Sequence, residues 1–367
     1  MITELPTEWV PALAGQTSLD ASTARGVLRR AKLAYTTRGV GLDAVGGILA
    51  GEDLRPGPGD VVLATVTAIG QHKRIELHDG RRATLFPGDE VVVCFGDRYA
   101  PDQFEAHVPP RLQPCDLVAA GGVASQMCAR HSSMGEPTAI APVGLLAYKD
   151  GRRINLRDWA LPRAEPQPGR PATIAVLGTS MNAGKTTSAA HLIYGLASSG
   201  RRVAAAKVTG TGAGGDVWLM QDAGASPVLD FTHAGHASTA GLTPEAVEDV
   251  LLRLTADLAA SGAEAIVLEI ADGLFQAETA ALVASPRFAQ AVDGVLFAGS
   301  DALGVALGTR RLADLGLPVA GVTGLVTASP LATREAATAT GLPVLDIDAL
   351  RDPATAGALL MPPLVAA

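Results

Sequence analysis

The sequence predicts an α/β protein in which a smaller β-rich domain precedes a larger domain with a mainly parallel sheet covered by helices. Three observations support this. The 367 residues are 48% hydrophobic, which is enough for two cores. Before residue 160, short β-type runs alternate with Gly- and Pro-containing turns. After residue 171, short apolar runs alternate with helical segments, a pattern typical of buried parallel strands.

The first domain, residues 1–160, is predicted to be β-rich with a leading helix. The helical pattern covers residues 20–36, with Asp20 or Ser22 as the N-cap. The turn Asp79-Gly80 after an alternating run indicates a hairpin. The pattern leaves open whether the strands form a barrel or a sandwich. The predicted strands are 61–66, 74–77 and 91–94.

The second domain follows a linker at 161–171, where four prolines and a glycine favour extended backbone. Residues 172–367 are then predicted to form the covered sheet, so ligand-binding residues belong in the loops after the strands. The predicted strands are 173–177, 202–207, 227–230, 264–269, 293–298, 318–323 and 343–346. The predicted helices are 185–199, 217–224, 244–260, 302–315 and 331–340.

The loop after the first of these strands is the strongest motif in the chain. Gly178-Thr-Ser-Met-Asn-Ala-Gly-Lys-Thr-Thr187 lies between an apolar strand and an apolar helix, a context in which backbone N–H groups and the helix N-terminus bind phosphates. Lys185 can reach the β- and γ-oxygens, and Thr186 can bind Mg²⁺. We therefore predict ATP and Mg²⁺ as cofactors. The predicted nucleotide-binding residues are Gly178, Thr179, Ser180, Met181, Asn182, Ala183, Gly184, Lys185, Thr186 and Thr187.

Five residues separate Gly178 from Gly184, one more than in the usual phosphate loop. This G-T-x-x-x-x-G-K-T spacing resembles dethiobiotin synthetase and the cobyrinate-amidase group of ATP-dependent enzymes, and some uncharacterised bacterial P-loop proteins. The segments Lys207–Gly212 and Ala265–Gly273 resemble two further motifs of that group, without the proline of the first and with E-I-A-D-G for E-G-x-G-G in the second. The resemblance covers about 172–350 and implies a P-loop NTPase domain and a homodimer.

Carboxylates that follow strands are candidates for binding Mg²⁺ or positioning water, because Mg²⁺ prefers oxygen ligands. We predict this role for Asp216 and Glu269, with Asp272 as a weaker candidate; helix capping is the alternative for Asp216. Lys207 ends an apolar strand and must find a partner there. The resemblance implies that Lys207 contacts the substrate, and a structural salt bridge is the alternative. The predicted catalytic residues are Lys185, Lys207, Asp216 and Glu269.

Further loops carry weaker candidates. His233 and His236 could line the substrate pocket or act as acid–base groups near neutral pH, and the alternative is that they are solvated. By the resemblance, the nucleotide base lies near two loops, Gly299–Asp301 and Thr323–Pro330. In the first domain, Arg98 and Arg130 either bind an anionic substrate or form ion pairs. The spacing of Cys115, Cys128 and His131 does not suit zinc.

Composition narrows the function. The net charge is −8 with no basic stripe, which argues against a nucleic-acid partner. The chain has no 18-residue run typical of a membrane span and no basic start typical of a secretory signal, so we expect a cytoplasmic protein. Residues 179–183 lack the early lysine of ParA/MinD-type switch ATPases.

The leading hypothesis is an ATP-dependent ligase, synthetase or kinase that acts on a small molecule. The alternatives are an assembly or metallochaperone-type NTPase, for which the N-K-x-D guanine signature is absent, and a polynucleotide kinase-like protein. All three would use the phosphate loop, so the motif alone does not separate them.

Overall fold

The computed structural model describes residues 17–19, 26–51, 53–163 and 169–360. The chain forms two compact units. The first comprises Met1–Tyr99, Gln103–Trp159 and Gly235–Ala237, and the second comprises Ala100–Asp102, Ala160–Ala234 and Ser238–Ala367.

The first unit is a β-barrel with added strands. Five strands pair in the cyclic order β4-β7-β11-β10-β12 and back to β4, so the sheet closes on itself. The predicted hairpin is present as β5 and β6, with Ile75 opposite Ala83. The strands are β1 Thr17–Leu19, β2 Lys32–Leu33, β3 Gly47–Ala50, β4 Val61–Ala68, β5 Arg74–Glu76, β6 Arg82–Thr84, β7 Glu90–Phe95, β8 Arg98–Tyr99, β9 Phe104–His107, β10 Cys115–Ala119, β11 Val123–Arg130 and β12 Thr138–Ala147.

The predicted helix over 20–36 is wrong in its second half. Of the described residues in this range, 26–28 are α-helical and 35–36 begin a 3-10 turn, and residues 20–25 lie outside the described part of the chain. Lys32–Leu33 instead forms β2, parallel to β7. The next residues, Ala34 and Tyr35, are fully buried, and the Ala34 N–H donates to the carbonyl of Val92. Tertiary pairing with the barrel therefore overrides the local helical pattern.

The second unit is a six-stranded parallel sheet with the order β15-β14-β16-β13-β17-β18 and helices on both faces. This confirms the predicted fold class. Each face packs its own hydrophobic cluster. The strands are β13 Ala172–Gly178, β14 Val203–Lys207, β15 Val228–Asp230, β16 Ala265–Glu269, β17 Gly294–Ala298 and β18 Val319–Thr323. The helices are α1 Lys185–Ser198, α2 Gly215–Asp222, α3 Pro244–Ala260, α4 Ala277–Val283, α5 Pro286–Ala291, α6 Ala302–Asp314, α7 Pro330–Thr340, α8 Ile347–Arg351 and α9 Pro353–Leu359.

The seventh predicted strand, 343–346, is wrong. Val344 makes only an isolated parallel bridge with Val322, and the chain then turns into α8. The Asp346 side chain accepts the N–H of Ala349 and caps this helix, so local capping ends the extended run. Within the described part of the chain, no helix is long and apolar enough to cross a lipid bilayer.

Two helical glycines give opposite predictions for the same substitution. Alanine favours a helix interior by about 1 kcal/mol over glycine. However, a Cβ at Gly195 would lie 2.3 Å from the Leu350 carbonyl oxygen and 2.8 Å from Ala356 Cβ. At Gly357 the nearest such atom is 4.0 Å away. We expect Gly195→Ala to destabilise the second unit by about 1–3 kcal/mol because of overpacking, and Gly357→Ala to leave it unchanged or stabilise it.

Thermal unfolding followed by calorimetry checks this pair. At about 2–4 °C per kcal/mol, Gly195→Ala should lower the Tm by several degrees. Equal Tm values for the two variants would contradict the close packing of α1 against α8 and α9.

Candidate functional site

The strand order brings the predicted loops to one edge of the sheet. β16 lies between β13 and β14, and its last residue, Glu269, is in register with Val176 of β13 and Lys207 of β14. Strands β13, β14 and β16 therefore end side by side. Of the ten predicted nucleotide-binding residues, Gly178 ends β13 and the other nine follow it at this edge, where Lys207 and Glu269 end the two neighbouring strands.

Two glycines shape the loop after β13. Gly184 has a φ of 98°, in the left-handed region, and a Cβ there would lie 3.0 Å from Gly324 Cα. A Cβ at Gly178 would lie 2.8 Å from the Ala298 carbonyl oxygen. Asn182, with a φ of 60°, also lies in the left-handed region. The loop is thus a tight backbone turn whose path depends on the glycines at its two ends.

Two of the helices that follow strands, α1 and α2, differ from the others at their N-termini. The N-caps of α1 and α2 are Gly184 and Gly214, which provide no side-chain cap. Their first N–H groups are therefore open to an anion, and the helix dipole adds a partial positive charge. In α3 to α9 a side chain caps the N-terminus; the capping residues are Thr243, Gln276, Ser285, Asp301, Ser329, Asp346 and Asp352.

Lys185 lies inside the turn of the loop. Its side chain is buried, and its Nζ donates to the Ser180 carbonyl oxygen at 2.7 Å. Burial lowers the pKa of Lys185, although the nearby carboxylates of Glu269 and Asp272 oppose this. The ammonium group therefore sits within the loop where phosphate oxygens would bind, with a backbone carbonyl as its present partner.

Thr186 and Glu269 meet beside the loop. Thr186 Oγ1 donates to Glu269 Oε1 at 2.8 Å. Glu269 Oε2 is buried and has no hydrogen-bond partner among the described residues. The pKa of Glu269 is raised to about 7, chiefly by burial and then by the Asp216 charge, while Lys207 and the Thr186 hydrogen bond oppose the shift. An unpaired buried carboxylate oxygen next to a threonine hydroxyl is a donor set that fits a hard cation.

The described residues contain no group of three or more His, Cys, Asp or Glu side chains placed to hold a metal ion by themselves. Mg²⁺ at nucleotide sites usually has one or two carboxylates and takes its other ligands from phosphate and water. The pair Thr186 and Glu269 meets this smaller requirement.

Lys207 and Asp216 form a salt bridge across the loop after β14. Burial alone would lower the pKa of Lys207, but the carboxylates of Asp216 and Glu269 outweigh it and raise that pKa. Asp216 lies in the first turn of α2, and Gly214 is the N-cap. The structure thus shows the salt bridge for Lys207 and an ion pair, not a cap, for Asp216. Whether Asp216 also contacts a metal stays a prediction.

The segment after β16 packs against the phosphate loop, which the sequence did not reveal. The Leu274 N–H donates to the Gly178 carbonyl, and a Cβ at Gly273 would lie 2.4 Å from the Thr179 carbonyl oxygen. Asp272, which precedes Gly273, has a φ of 63°. A further residue that sequence reasoning missed is the buried Thr209, whose Oγ1 accepts the Ala271 N–H at 2.8 Å. It joins the loops after β14 and β16.

A cavity of about 360 Å³ adjoins the start of α1. It is lined by Gly184 and Thr187, by the predicted base-region residue Thr327, and by Asp346 and Asp348. Sequence reasoning missed both aspartates because it placed a strand at 343–346. The Asp-x-Asp pattern before a helix was the available signal, since Asp is a preferred N-cap.

The other predicted base-region residues have different roles. Thr323 is buried, with its Oγ1 3.1 Å from Ser188 Oγ. Asp301 caps α6 by accepting the Gly304 N–H at 2.8 Å. Pro330 is the first residue of α7.

The weaker candidates are held by local contacts. His233 Nδ1 lies 3.1 Å from Oδ1 of Asp230, which is buried at the end of β15. His236 lies in the short segment Gly235–Ala237 that clusters with the first unit. Arg130 pairs with Glu136 at 2.8 Å, as its ion-pair alternative predicted. The buried Arg98 donates to Gln103 Oε1 at 2.8 Å.

A central parallel strand, a glycine-bounded loop with a buried lysine, and an uncapped helix follow one another here. This strand–loop–helix order is the context in which phosphate-binding loops occur. No protein-family model and no curated protein matches the chain.

The chain is similar to several solved structures. They include the signal recognition particle 54 kDa protein of Aeropyrum pernix K1 in complex with GDP (20% identity, TM-score 0.36), the cell division protein FtsY of Thermotoga maritima (19%, 0.36) and a DUF1611 family protein of Anabaena variabilis (15%, 0.39). The matches cover 51%, 56% and 56% of this chain. They span 44%, 72% and 63% of the matched chains, so the first match covers less than half of its counterpart. The dethiobiotin synthetase group is not among these similarities.

Proposed function

We propose that the second unit binds a Mg²⁺–nucleoside triphosphate, with ATP as the nucleotide, and uses its γ-phosphate to activate a small-molecule acceptor as a ligase, synthetase or kinase. The single observation that carries this proposal is the position of Lys185. Its ammonium lies within the turn of the loop, at a helix N-terminus without a side-chain cap, and its hydrogen-bond partner is a neutral backbone carbonyl. A phosphate is a stronger partner for a buried ammonium than a neutral carbonyl.

Each loop residue then has a physical task. The N–H groups at the start of α1 hold phosphate oxygens, and Lys185 leaves the Ser180 carbonyl to bind the β- and γ-oxygens. Thr186 and Glu269 would hold Mg²⁺, which neutralises charge on the phosphates when bound. Glu269 binds a cation only as the carboxylate, so its raised pKa makes cation binding release a proton near neutral pH.

The acceptor is proposed to bind at the ends of β14 and β15. Lys207 and Asp230 are register partners there, and both are buried. An anionic acceptor can bind Lys207 if Asp216 gives up its salt bridge. Asp216 is then released from the salt bridge and can position the acceptor or a water molecule. The reacting group of the acceptor is accordingly proposed to be a carboxylate or a hydroxyl.

A specific observation favours GTP as a second candidate nucleotide. Asp346 and Asp348, whose carboxylates accept hydrogen bonds only, are among the residues that line the cavity beside α1, and one Asp346 oxygen already accepts the Ala349 N–H. Guanine presents two neighbouring N–H donors on its Watson–Crick edge, whereas adenine presents a donor beside an acceptor. A cavity wall of acceptors suits the guanine edge, although the N-K-x-D signature is absent.

Nucleotide binding is tested by thermal unfolding with Mg²⁺–ATP and Mg²⁺–GTP. A ligand at 100 times its Kd stabilises the folded state by about 2.7 kcal/mol. At about 2–4 °C per kcal/mol, the Tm should rise by roughly 5–10 °C with the preferred nucleotide. Excess EDTA should remove most of the rise, because the nucleotide then loses the cation held by Thr186 and Glu269. No shift with either nucleotide would contradict the proposal.

The acceptor is tested by ATP consumption across a panel of carboxylic acids and amino acids, with the nucleotide-only rate as the baseline. We expect at least one acceptor to raise ADP or AMP formation above that rate. A flat response with an intact nucleotide shift would contradict the ligase version and leave nucleotide binding standing.

A further inference from the structure

The tip of the phosphate loop is bound to a residue far away in the sequence. Backbone hydrogen bonds fix the two ends of the loop, at the Thr179 N–H and the Ala183 carbonyl. At the tip, the side-chain amide of Asn182 donates to Oδ2 of Asp102 at 2.8 Å. Asp102 lies 80 positions earlier in the chain, in the segment Ala100–Asp102 that clusters with the second unit. A carboxylate from outside the loop motif therefore contacts the loop.

Asn182 has a backbone conformation that benefits from such a contact. Its φ of 60° lies in the left-handed region, which residues with a side chain seldom adopt, although asparagine tolerates it better than most. A left-handed residue within a loop also lets successive N–H groups converge on an anion. Without a partner for its side chain, Asn182 would spend more time in right-handed or extended conformations, and the N–H groups at the tip would lose this alignment. The charge-assisted bond to Asp102 opposes that change.

The other oxygen of Asp102 argues against a purely structural role. Oδ1 is buried and has no hydrogen-bond partner among the described residues. A buried acceptor without a partner opposes folding, so an aspartate with this oxygen is a poor choice for stability alone. Unpaired buried groups in folded proteins call for another explanation, and residues that serve binding or catalysis commonly carry such a cost. The explanation that the contacts offer is the bond from Oδ2 to the loop.

We propose that Asp102 is a positioning residue of the nucleotide site: its carboxylate holds Asn182 in the left-handed conformation and so keeps the N–H groups at the loop tip aligned for phosphate. This inference rests on the proposed nucleotide binding and adds to it a residue outside the motif at 178–187. A loop that is already ordered binds its ligand more tightly than one that must first be ordered. A negative charge near the loop opposes phosphate binding, so the benefit of Asp102 comes from its hydrogen bond and not from its charge.

Two substitutions at position 102 separate the hydrogen bond from the charge. Asp102→Ala removes both and should weaken the binding of a non-hydrolysable ATP or GTP analogue with Mg²⁺ roughly three- to tenfold, measured by titration calorimetry on the full chain. Asp102→Asn keeps an oxygen that accepts from Asn182 and should bind at least as tightly as wild type. The Tm of nucleotide-free Asp102→Ala should stay equal or rise, because a buried unpaired oxygen is removed. Asp314→Ala, at the exposed last residue of α6, is the matched control and should keep the wild-type Kd.

Asn182→Gly tests the same bond from the other side, because glycine adopts left-handed angles without strain and loses only the side chain. Its Kd should rise as in Asp102→Ala, and the double variant should bind no more weakly than the weaker single variant, since both changes remove one bond. An unchanged Kd in Asp102→Ala or Asn182→Gly would overturn the proposal. So would an Asp102→Asn variant as weak as Asp102→Ala, or losses that add in the double variant. A wild type that binds neither analogue would refute the proposed function itself, and this inference with it.

Discussion

Lys185→Ala is expected to abolish nucleotide turnover, lowering kcat by at least about 10²–10³-fold, the range seen when one preorganised charge-stabilising group is removed. The stabilisation by Mg²⁺–nucleotide should disappear with it. The reason is that Lys185 is the only cationic residue among the loop residues 178–187. Without it, no cationic side chain of the loop meets the γ-phosphate charge.

The same substitution should leave the nucleotide-free protein folded. The buried ammonium pays a desolvation penalty, seen in its lowered pKa, and forms one bond to the Ser180 carbonyl. Removing it therefore costs little in the empty protein. Lys73→Ala is the control, because Lys73 is exposed in the first unit. An undiminished Tm rise with Mg²⁺–nucleotide in Lys185→Ala would refute the assigned role of the loop.

Glu269→Gln is expected to have two effects of opposite sign. Turnover should fall by about 10²-fold or more, because an amide neither binds Mg²⁺ as a carboxylate does nor accepts a proton. The pH dependence of stability should change as well. Burial raises the pKa of Glu269 from 4.5 to about 7, so between these values the folded state holds a proton that the unfolded state has lost.

The wild-type free energy of unfolding should therefore decrease as pH rises from 4.5 through 7. The full shift corresponds to about 3 kcal/mol at 1.36 kcal/mol per pKa unit. Glutamine cannot titrate, so the stability of Glu269→Gln relative to wild type should increase by about this amount between pH 4.5 and pH 8.

Urea unfolding of the nucleotide-free protein at these two pH values measures the difference. Glu335→Gln, on an exposed position of α7, should follow the wild-type slope. If the free energy of unfolding changed equally with pH in wild type and Glu269→Gln, the buried carboxylate would not titrate in this range.

Much of the second unit could be predicted because its signals are local. Helix α3 runs over Pro244–Ala260, as the pattern predicted, since Thr243 caps it and Pro244 suits its first turn. Six of the seven apolar runs became parallel strands within one or two residues of the predicted bounds. A strand that is buried on both faces needs a run of apolar residues, and such a run can be recognised in the sequence without knowing which strand it pairs with.

The errors occurred where a distant segment decides the local structure. Lys32–Leu33 is a strand because β7 offers an open edge about 60 residues later. Residues 343–346 stop short of a strand because Asp346 starts α8. The choice between barrel and sandwich was also undecidable from the pattern, because closure requires β12 to pair with both β4 and β10.

By itself the sequence determined that a phosphate-type loop follows a buried strand, because strand, glycines, lysine and helix are contiguous from residue 172 to 198. Only the tertiary structure decided which groups surround that loop. The order β14-β16-β13 places Lys207 and Glu269 at the same edge as Lys185, and the chain after β18 brings Asp346 to the start of α1. Strand order depends on which strands hydrogen-bond to each other and which faces become buried, and both involve segments far apart in the chain. The local spacing of residues in the sequence therefore does not predict it.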